Sequence, residues 1–319
     1  MKKALICGVS GQDGSYLAKL LLEKGFEVHG TSRDAQVTSF SNLDKLGIKD
    51  KIKFHSISLT DFRSVVQTIK NSKPDEIYNL AGQTSVSLSF EQPVEALESI
   101  TAGTLNLLEA IRFFNSSIKL YNAGSSECFG NTEQPATELT SFNPRSPYAA
   151  AKSAAHWIVV NYREAYNIFA CNGILFNHDS PLRPERFVTQ KIISAAVRIT
   201  KGSKEKVELG NINIIRDWGW APEYVEAIFM MMQHEQPDDY LIATGKSFSL
   251  SEFIAESFSQ LGLDWQKFCS IDEKLKRPAD LIISQGNPAK AKKVLNWTAK
   301  NGMKEVISGM INSKLSPVS

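Results

Sequence analysis

No stretch of this 319-residue chain approaches the ~20 consecutive apolar residues of a membrane span, so the sequence offers no transmembrane helix. Cysteine is scarce. Cys7, Cys128, Cys171 and Cys269 are scattered and form no CxxC pair. They read as reduced thiols of a cytoplasmic protein, and neither a disulfide frame nor a metal site is read from them. Charge of one sign is also missing: 36 basic residues stand against 34 acidic ones, a net +2, which makes no general case for binding nucleic acid or a membrane. There is no internal repeat, low-complexity tract or clear linker. Met1-Lys2-Lys3 with Ala4 to Cys7 faintly imitates a leader, but Gly8, Gln12 and Asp13 end the apolar run, so it reads as a buried strand. The length suits one substantial core or two lobes.

What is present alternates. Ala4–Cys7, Phe26–Gly30, Lys53–Ile57, Glu76–Ala81, Lys119–Ala123 and Ala170–Phe176 read as strands. Helical patterns fall at Tyr16–Lys24, which stops at Gly25, and near 61–71, 93–113 and 147–166. This alternation predicts an α/β fold, a Rossmann-like doubly wound parallel sheet with right-handed crossovers. After Phe176 the pattern turns irregular, with Pro181, Arg183 and Pro184 in a loop, and helices are expected near 222–233, 249–261 and 302–313. The expected division is a dinucleotide-binding domain over 1–176, joined by about 213–235. The remainder, 177–319, is mainly a smaller mixed α/β substrate-binding lobe interleaved with it.

Gly8-x-x-Gly11-x-x-Gly14 lies between the first strand and the first helix. A tight turn and a pyrophosphate close to a helix N-terminus both need residues without side chains, so this context points to a dinucleotide. The second strand runs out into Thr31-Ser32-Arg33-Asp34. An acid there suits ribose hydroxyls, an arginine a 2′-phosphate, so Arg33 favours NADP, with Asp34 as the competing signal if it turns inward.

Ser125-Ser126-Glu127, followed by Tyr148 and Lys152, carries the chemistry. Tyr148 and Lys152 are four apart and share one helix face. An ammonium beside a phenol favours the phenolate, giving a base for a sugar hydroxyl while a nicotinamide takes the hydride. Ser125 would hold the same hydroxyl. Glu127 is superfluous for simple oxidation but is needed where a carbon-bound proton must also leave.

Longer strings sharpen this. Gly8-Val9-Ser10-Gly11-Gln12-Asp13-Gly14-Ser15-Tyr16-Leu17, Tyr78-Asn79-Leu80-Ala81 with Gln83, and Pro144-Arg145-Ser146-Pro147-Tyr148-Ala149-Ala150-Ala151-Lys152 come first. Asn161-Tyr162-Arg163-Glu164, Gly173-Ile174-Leu175-Phe176-Asn177-His178, Phe187-Val188-Thr189 and Arg216-Asp217-Trp218-Gly219 follow. Arg277-Pro278-Ala279 and Gly286-Asn287-Pro288-Ala289-Lys290-Ala291 close the set. On these strings the chain resembles the extended short-chain dehydrogenase/reductases, and among them the GDP-mannose 4,6-dehydratase family, almost from end to end. YxxxK marks only the superfamily; the segment around Asn177 and the RDWG string are the specific parts.

The resemblance implies a hydro-lyase with tightly held NADP, acting on GDP-mannose or a related GDP-sugar. Ser125, Glu127, Tyr148 and Lys152 would be catalytic. It places the cofactor on Gly8, Gly11, Gln12, Asp13, Gly14, Arg33, Leu59, Leu80, Ala81, His178 and Arg183, as well as Tyr148 and Lys152. It places the nucleotide sugar on Gln83, Thr84, Ser85, Ser126, Asn177, Val188, Lys191, Gly210, Asn211, Arg216, Arg277 and Asp280. Arginine forks suit a pyrophosphate. His178 is expected to be a structural or backbone contact, Asn79 to end its strand under the cofactor, and Trp218 and Trp220 to pack in the interior.

Departures from the family pattern are also visible. Ser125 stands where threonine is usual and offers the same hydroxyl. Ser58 replaces an aspartate that contacts adenine, leaving adenine to a neighbouring backbone group or another residue. Asp280 stands where glutamate is usual. Paired arginines after the second strand become Arg33-Asp34, followed by a shorter segment than the loop that reaches a neighbouring subunit in some relatives. A homodimer formed by the helices near 93–113 and 147–166 is therefore expected, with a tetramer as the alternative. A GDP-manno-heptose 4,6-dehydratase, a GDP-4-keto-6-deoxymannose reductase and a non-catalytic nucleotide-sensing module on the same scaffold are the rival readings.

Overall fold

The computed structural model describes residues 1–275 and 279–316. Strands β1 (Lys3–Cys7), β2 (Glu27–Ser32), β3 (Lys53–Ser56), β4 (Glu76–Asn79), β5 (Lys119–Ala123) and β6 (Ala170–Leu175) join a seventh, Asp239–Ile242. Their order across the sheet is Asp239–Ile242, β6, β5, β4, β1, β2, β3, and every pair is parallel. Parallel strands need crossovers, and helices cover both faces, so the inner strands read as unbroken apolar runs. All six residues of β6 are buried. The doubly wound sheet expected from the sequence is present.

On one face, Leu17 and Leu21 of the Gln12–Glu23 helix pack with Tyr78, Tyr121, Tyr224, Ile228 and Met231. The Ala221–Gln233 helix lies against the first helix there, and Leu295 and Trp297 complete the same cluster. On the other face, Val65 and Ile69 of Phe62–Ser72, Leu107 and Ile111 of Gly103–Phe114, and Val159 and Tyr162 of Pro147–Tyr166 form a second core. A third cluster joins the Val188–Thr200, Leu250–Ser259 and Met303–Leu315 helices through Ile192, Ile193, Phe253, Val306 and Met310. Each such aliphatic or aromatic side chain contributes about 1.5–3 kcal/mol when fully buried.

Several elements differ from the sequence reading. The first helix starts at Gln12, one turn before Tyr16, so Gln12 and Asp13 sit on its opening turn. The helix expected near 93–113 is three pieces: Pro93–Leu97, a π turn at Glu98–Ala102, and Gly103–Phe114. The Ser99 hydroxyl donates to the Glu95 carbonyl at 2.6 Å and Thr104 to that of Ile100 at 2.7 Å, side-chain bonds that loosen the regular helical ladder. The Val188–Thr200 helix, read as irregular, and the seventh strand, only four residues long, are additional elements. Trp218 is buried against Phe253, and Trp220 packs over Gly309.

Candidate active site

β1 delivers the chain to Gly8, whose φ of +87° belongs to the left-handed region. A Cβ there would stand 3.0 Å from the Leu80 carbonyl oxygen and 3.1 Å from Ala81, so the loop is pressed against the end of β4. At Gly14 a Cβ would lie 2.3 Å from the Gly8 carbonyl oxygen. Gly11 begins the Gln12–Glu23 helix in extended conformation with no side-chain cap. A bare helix N-terminus behind a turn of residues lacking side chains fits a diphosphate.

The loop is tied to the far side of the sheet. His178 Nε2 meets Asp13 Oδ2 at 2.9 Å, its Nδ1 meets the Phe176 carbonyl at 2.7 Å, and the ring stacks on Tyr224. Burial opposes the imidazolium, yet Asp13 overrides it and holds the His178 pKa above its ordinary value. Burial likewise raises Asp13, and His178 outweighs it, so the carboxyl ends below its ordinary value. Gln12 donates to the His178 carbonyl at 3.2 Å and accepts from Ser180 at 2.8 Å. Arg183 lies 3.2 Å from Asp179 and over the Phe187 ring. His178 thus links the first helix to the segment that follows β6.

Arg33 is 91 % exposed in its side chain and reaches Glu95 only at 3.7 Å. Asp34 is occupied locally, its carboxylate accepting the Gln36 N–H at 2.9 Å and the Val37 N–H at 3.4 Å. Leu59 is pinned by Asn106, which donates to its carbonyl at 2.8 Å, while Ser58 bonds Thr60.

Past β5 the chain turns through Gly124 to Ser125, which caps the short Ser126–Phe129 turn by accepting the Glu127 N–H at 3.3 Å. Ser126 is buried and Glu127 half-buried beside it. Ser146 caps the Pro147–Tyr166 helix, accepting from Ala149 N at 3.1 Å, and Pro147 fixes its first turn. Tyr148 and Lys152 follow on successive turns, both buried. The Ser125 hydroxyl lies near enough to the Tyr148 phenol to favour its ionised form.

Within the protein alone, the expected pull of Lys152 on the Tyr148 phenol meets a larger opposing effect. Burial pushes the phenol well above its ordinary value, with the Ser125 hydroxyl opposing it. Burial also takes the Lys152 ammonium down to about 8. Its Nζ donates to the Ala123 carbonyl at 2.7 Å and stands 5.9 Å from the centre of the Tyr148 ring. Desolvation is the largest influence on both groups.

Gln83 follows Gly82, whose φ is +118°, and its N–H donates to the Ser99 hydroxyl at 3.3 Å. Both polar atoms of its side-chain amide are buried without a partner in the described structure. Such an arrangement costs stability unless a ligand completes it. Thr84 is exposed, and Ser85 caps Val86–Glu91 by accepting the Leu88 N–H at 3.3 Å.

The remaining expected substrate residues lie in the second half of the chain. The Asn177 carbonyl accepts the Gly219 N–H, and Val188 opens its helix. Lys191 donates to the Glu208 carbonyl at 2.7 Å. Gly210 and Asn211 follow the Val207–Leu209 strand, and Asn211 accepts the Asn213 N–H at 3.0 Å. Arg216 is buried, donating to the Leu281 carbonyl at 2.8 Å and approaching Asp280 at 3.5 Å. Arg277 lies outside the described residues. Among the described residues no cluster of three or more His, Cys, Asp or Glu side chains could hold a metal ion. Ser99, the acceptor for Gln83, was not anticipated; it lies in the π turn that interrupts the expected helix, and nothing in its local sequence marks it.

The model of the GDP-mannose 4,6 dehydratase family matches residues 5–310. The chain belongs to that family. It is 47% identical to GDP-mannose 4,6 dehydratase 2 of Arabidopsis thaliana, over 98% of this chain and 87% of the relative. It is 41% identical to the Homo sapiens GDP-mannose 4,6 dehydratase, over 97% of this chain and 90% of that one. Among solved structures, the dTDP-glucose 4,6-dehydratase of Bacillus anthracis in complex with NAD superposes with a TM-score of 0.85 at 18% identity, covering 98% of this chain and 96% of that one. RMD of Pseudomonas aeruginosa complexed with NADPH superposes at 0.81 with 21% identity, covering 98% and 97%. At these identities the superpositions speak for the fold.

Proposed function

We propose that this member of the family converts GDP-mannose to GDP-4-keto-6-deoxymannose and water, using a nicotinamide dinucleotide that is restored in each turnover. The observation that carries the reading is the meeting of Ser125, Glu127, Tyr148 and Lys152 at the end of β5, beside a loop built for a diphosphate. Bound there, the nicotinamide would accept the C4 hydride, carry positive charge while oxidised, and return the same hydride to C6.

Ser125 holds the sugar 4-hydroxyl and Tyr148 takes its proton. Because burial keeps the isolated phenol neutral, Tyr148 becomes a base only in the assembled complex. The C4 ketone acidifies the C5 hydrogen, Glu127 removes that proton, and the proton leaves Glu127 with the departing 6-hydroxyl as water. Once C6 is reduced, the proton that Tyr148 took from the 4-hydroxyl passes to C5, which completes the product and resets both residues. Lys152 keeps a positive charge near the phenol while its Nζ is steered by the Ala123 carbonyl. Gln83, through its buried amide, takes hydrogen bonds from the sugar side of the complex. Asn177, Lys191, Asn211, Arg216 and Arg277 are assigned to the GDP portion. Residues 1–176, with about 213–235, form the cofactor half of this division of labour, and 177–319 mainly the nucleotide-sugar half.

NADP is the assigned cofactor, since Arg33 projects freely while Asp34 is committed to its own turn. A cytoplasmic homodimer is assigned as well. The helices near 93–113 and 147–166 expose Val94, Leu97, Phe113, Trp157 and Tyr166, a set of large apolar side chains suited to a second copy. No helix among the described residues is long and apolar enough to cross a membrane.

The deciding experiment incubates purified protein with GDP-mannose, without added reductant, and follows the nucleotide sugar by mass spectrometry. Loss of one water with a 4-keto group supports the reading. Unchanged GDP-mannose with folded, cofactor-loaded protein overturns it and moves the assignment to a sugar one carbon longer or to the reductase reaction.

A further inference from the structure

The face of the Pro147–Tyr166 helix that bears Tyr148 and Lys152 continues through His156 to Arg163. Arg163 grips Asp239 at the start of the seventh strand with two bonds, Nη1 to Oδ1 at 2.8 Å and Nη2 to Oδ2 at 2.9 Å, and also donates to the Ala170 carbonyl at 3.0 Å. Asp239 passes the connection inward. Its Oδ1 accepts Asn172 Nδ2 at 2.9 Å, Asn172 Oδ1 accepts Asn122 Nδ2 at 3.0 Å, and Asn122 Oδ1 accepts Asn79 Nδ2 at 3.1 Å. The four residues stand in register across the seventh strand, β6, β5 and β4. Asn172 Nδ2 also donates back to the His156 carbonyl on the catalytic helix at 3.3 Å, and His156 Nε2 lies 3.7 Å from Asp239.

The row therefore closes on the active site from two directions. Asn122 immediately precedes Ala123, whose carbonyl steers Lys152, and Arg163 fixes the far end of the helix that carries Lys152. Buried amides linked in series resist sliding of one strand against the next. An ion pair with two parallel bonds resists rotation of the helix about its own axis.

We propose that Asp239 and Arg163 are positioning residues that set Lys152 against the Ala123 carbonyl, and Tyr148 with it, from the opposite end of the catalytic helix. This rests on the reading of Tyr148 and Lys152 given above. A displacement near 1 Å at a reacting group can cost about a hundredfold in rate. Asp239→Asn keeps the volume but removes the charge and one acceptor.

In the cofactor-loaded protein, Asp239→Asn should lower kcat by about tenfold or more, leave the KM for GDP-mannose within about threefold, and move a limb of the pH–rate profile by about half a unit. Arg163→Lys, which keeps the charge but loses the fork, should give a smaller loss of the same kind and serves where Asp239→Asn does not fold. A kcat within about twofold and a superimposable pH profile would overturn the proposal, whatever the loss in melting temperature. The Lys152 ammonium is also followed directly by nitrogen-15 NMR without substrate, its signal assigned with Lys152→Met. A titration midpoint unchanged by either variant overturns the positioning role even if GDP-mannose proves not to be the substrate. A wild type that leaves GDP-mannose untouched while the midpoint moves overturns the substrate reading alone.

Discussion

Lys152 spends its ammonium on Ala123: the Nζ–O distance is 2.7 Å, while Tyr148, the group it was expected to activate, lies with its ring centre 5.9 Å away. The lysine thus sits in a buried site where desolvation outweighs the pull of Asp13 and disfavours its charge, and a pH-dependent instability follows.

Lys152→Met should stabilise the ligand-free protein at neutral pH while removing activity. The folded pKa is about 8 against a free value of about 10.4. Below about pH 8 the group is protonated in both states and the burial penalty is full; between about 8 and 10.4 the folded chain sheds its proton first and the penalty fades. The gain should be roughly 1–3 kcal/mol at pH 7, reduced because the Ala123 carbonyl loses its donor, and should shrink across that window. Thermal melts of both proteins from pH 6.5 to 10 check this. A constant difference would mean that Lys152 is not held as a disfavoured cation.

Glu127→Gln separates the two chemical stages. C4 oxidation does not use this carboxylate, so reduced cofactor should still form on mixing with GDP-mannose. Exchange of the C5 hydrogen with deuterated solvent and loss of water should fall by about 10²–10⁴-fold. Wild-type deuterium incorporation at C5, read by NMR of the sugar, would remove Glu127 from its role.

Arg33→Ala should discriminate between cofactors. The side chain meets little of its own protein, so its removal leaves stability nearly unchanged and deletes a charge-assisted contact to a 2′-phosphate. NADP affinity should fall about tenfold or more and NAD affinity by less than twofold. Equal losses in fluorescence titrations with the two nucleotides would argue that no such contact exists.

Gly14→Ala should damage cofactor binding although alanine is the better helix former by about 0.8–1.0 kcal/mol. The added methyl would lie 2.3 Å from the Gly8 carbonyl oxygen and 2.8 Å from Val9 Cα, both backbone atoms that cannot swing aside. The loop must shift, and the diphosphate cradle shifts with it. Calorimetric titration of the cofactor should show at least about a tenfold loss, since overpacking of this kind typically costs 1–3 kcal/mol. Unaltered affinity would mean the loop has slack the geometry does not show.

Local signals were legible, and long-range ones were not. Gly8, Gly11 and Gly14 could be read because their spacing is a demand of a single turn, and Tyr148 and Lys152 because four residues make one helical turn. The direction of Asp34 could not be read, since it is decided by the Gln36 and Val37 N–H groups once the turn has formed. The burial that raises the Tyr148 pKa could not be read, because a partner in sequence is visible while the surroundings of the side chain are not. The Val188–Thr200 helix does show apolar residues at 188, 192, 193, 196 and 197, but the prolines before it masked the start of the pattern. The link from Arg163 through Asp239 to Asn122 joins residues 76 and 117 positions apart from Asp239, and nothing local marks them as neighbours.

The sheet is completed out of turn. Its seventh strand and the helix carrying Tyr224 and Met231 arrive only after the Val188–Thr200 segment of the other core has been made, and Trp297 arrives later still. During synthesis, a chain that has emerged only as far as β6 holds both YxxxK and the glycine loop, yet one flank of its sheet stays uncovered and the carboxylate partner of Arg163 does not yet exist. Nascent chains of this length should therefore be the ones that chaperones hold and proteases cut, and truncation before residue 242 should remove cofactor binding along with the lobe it deletes.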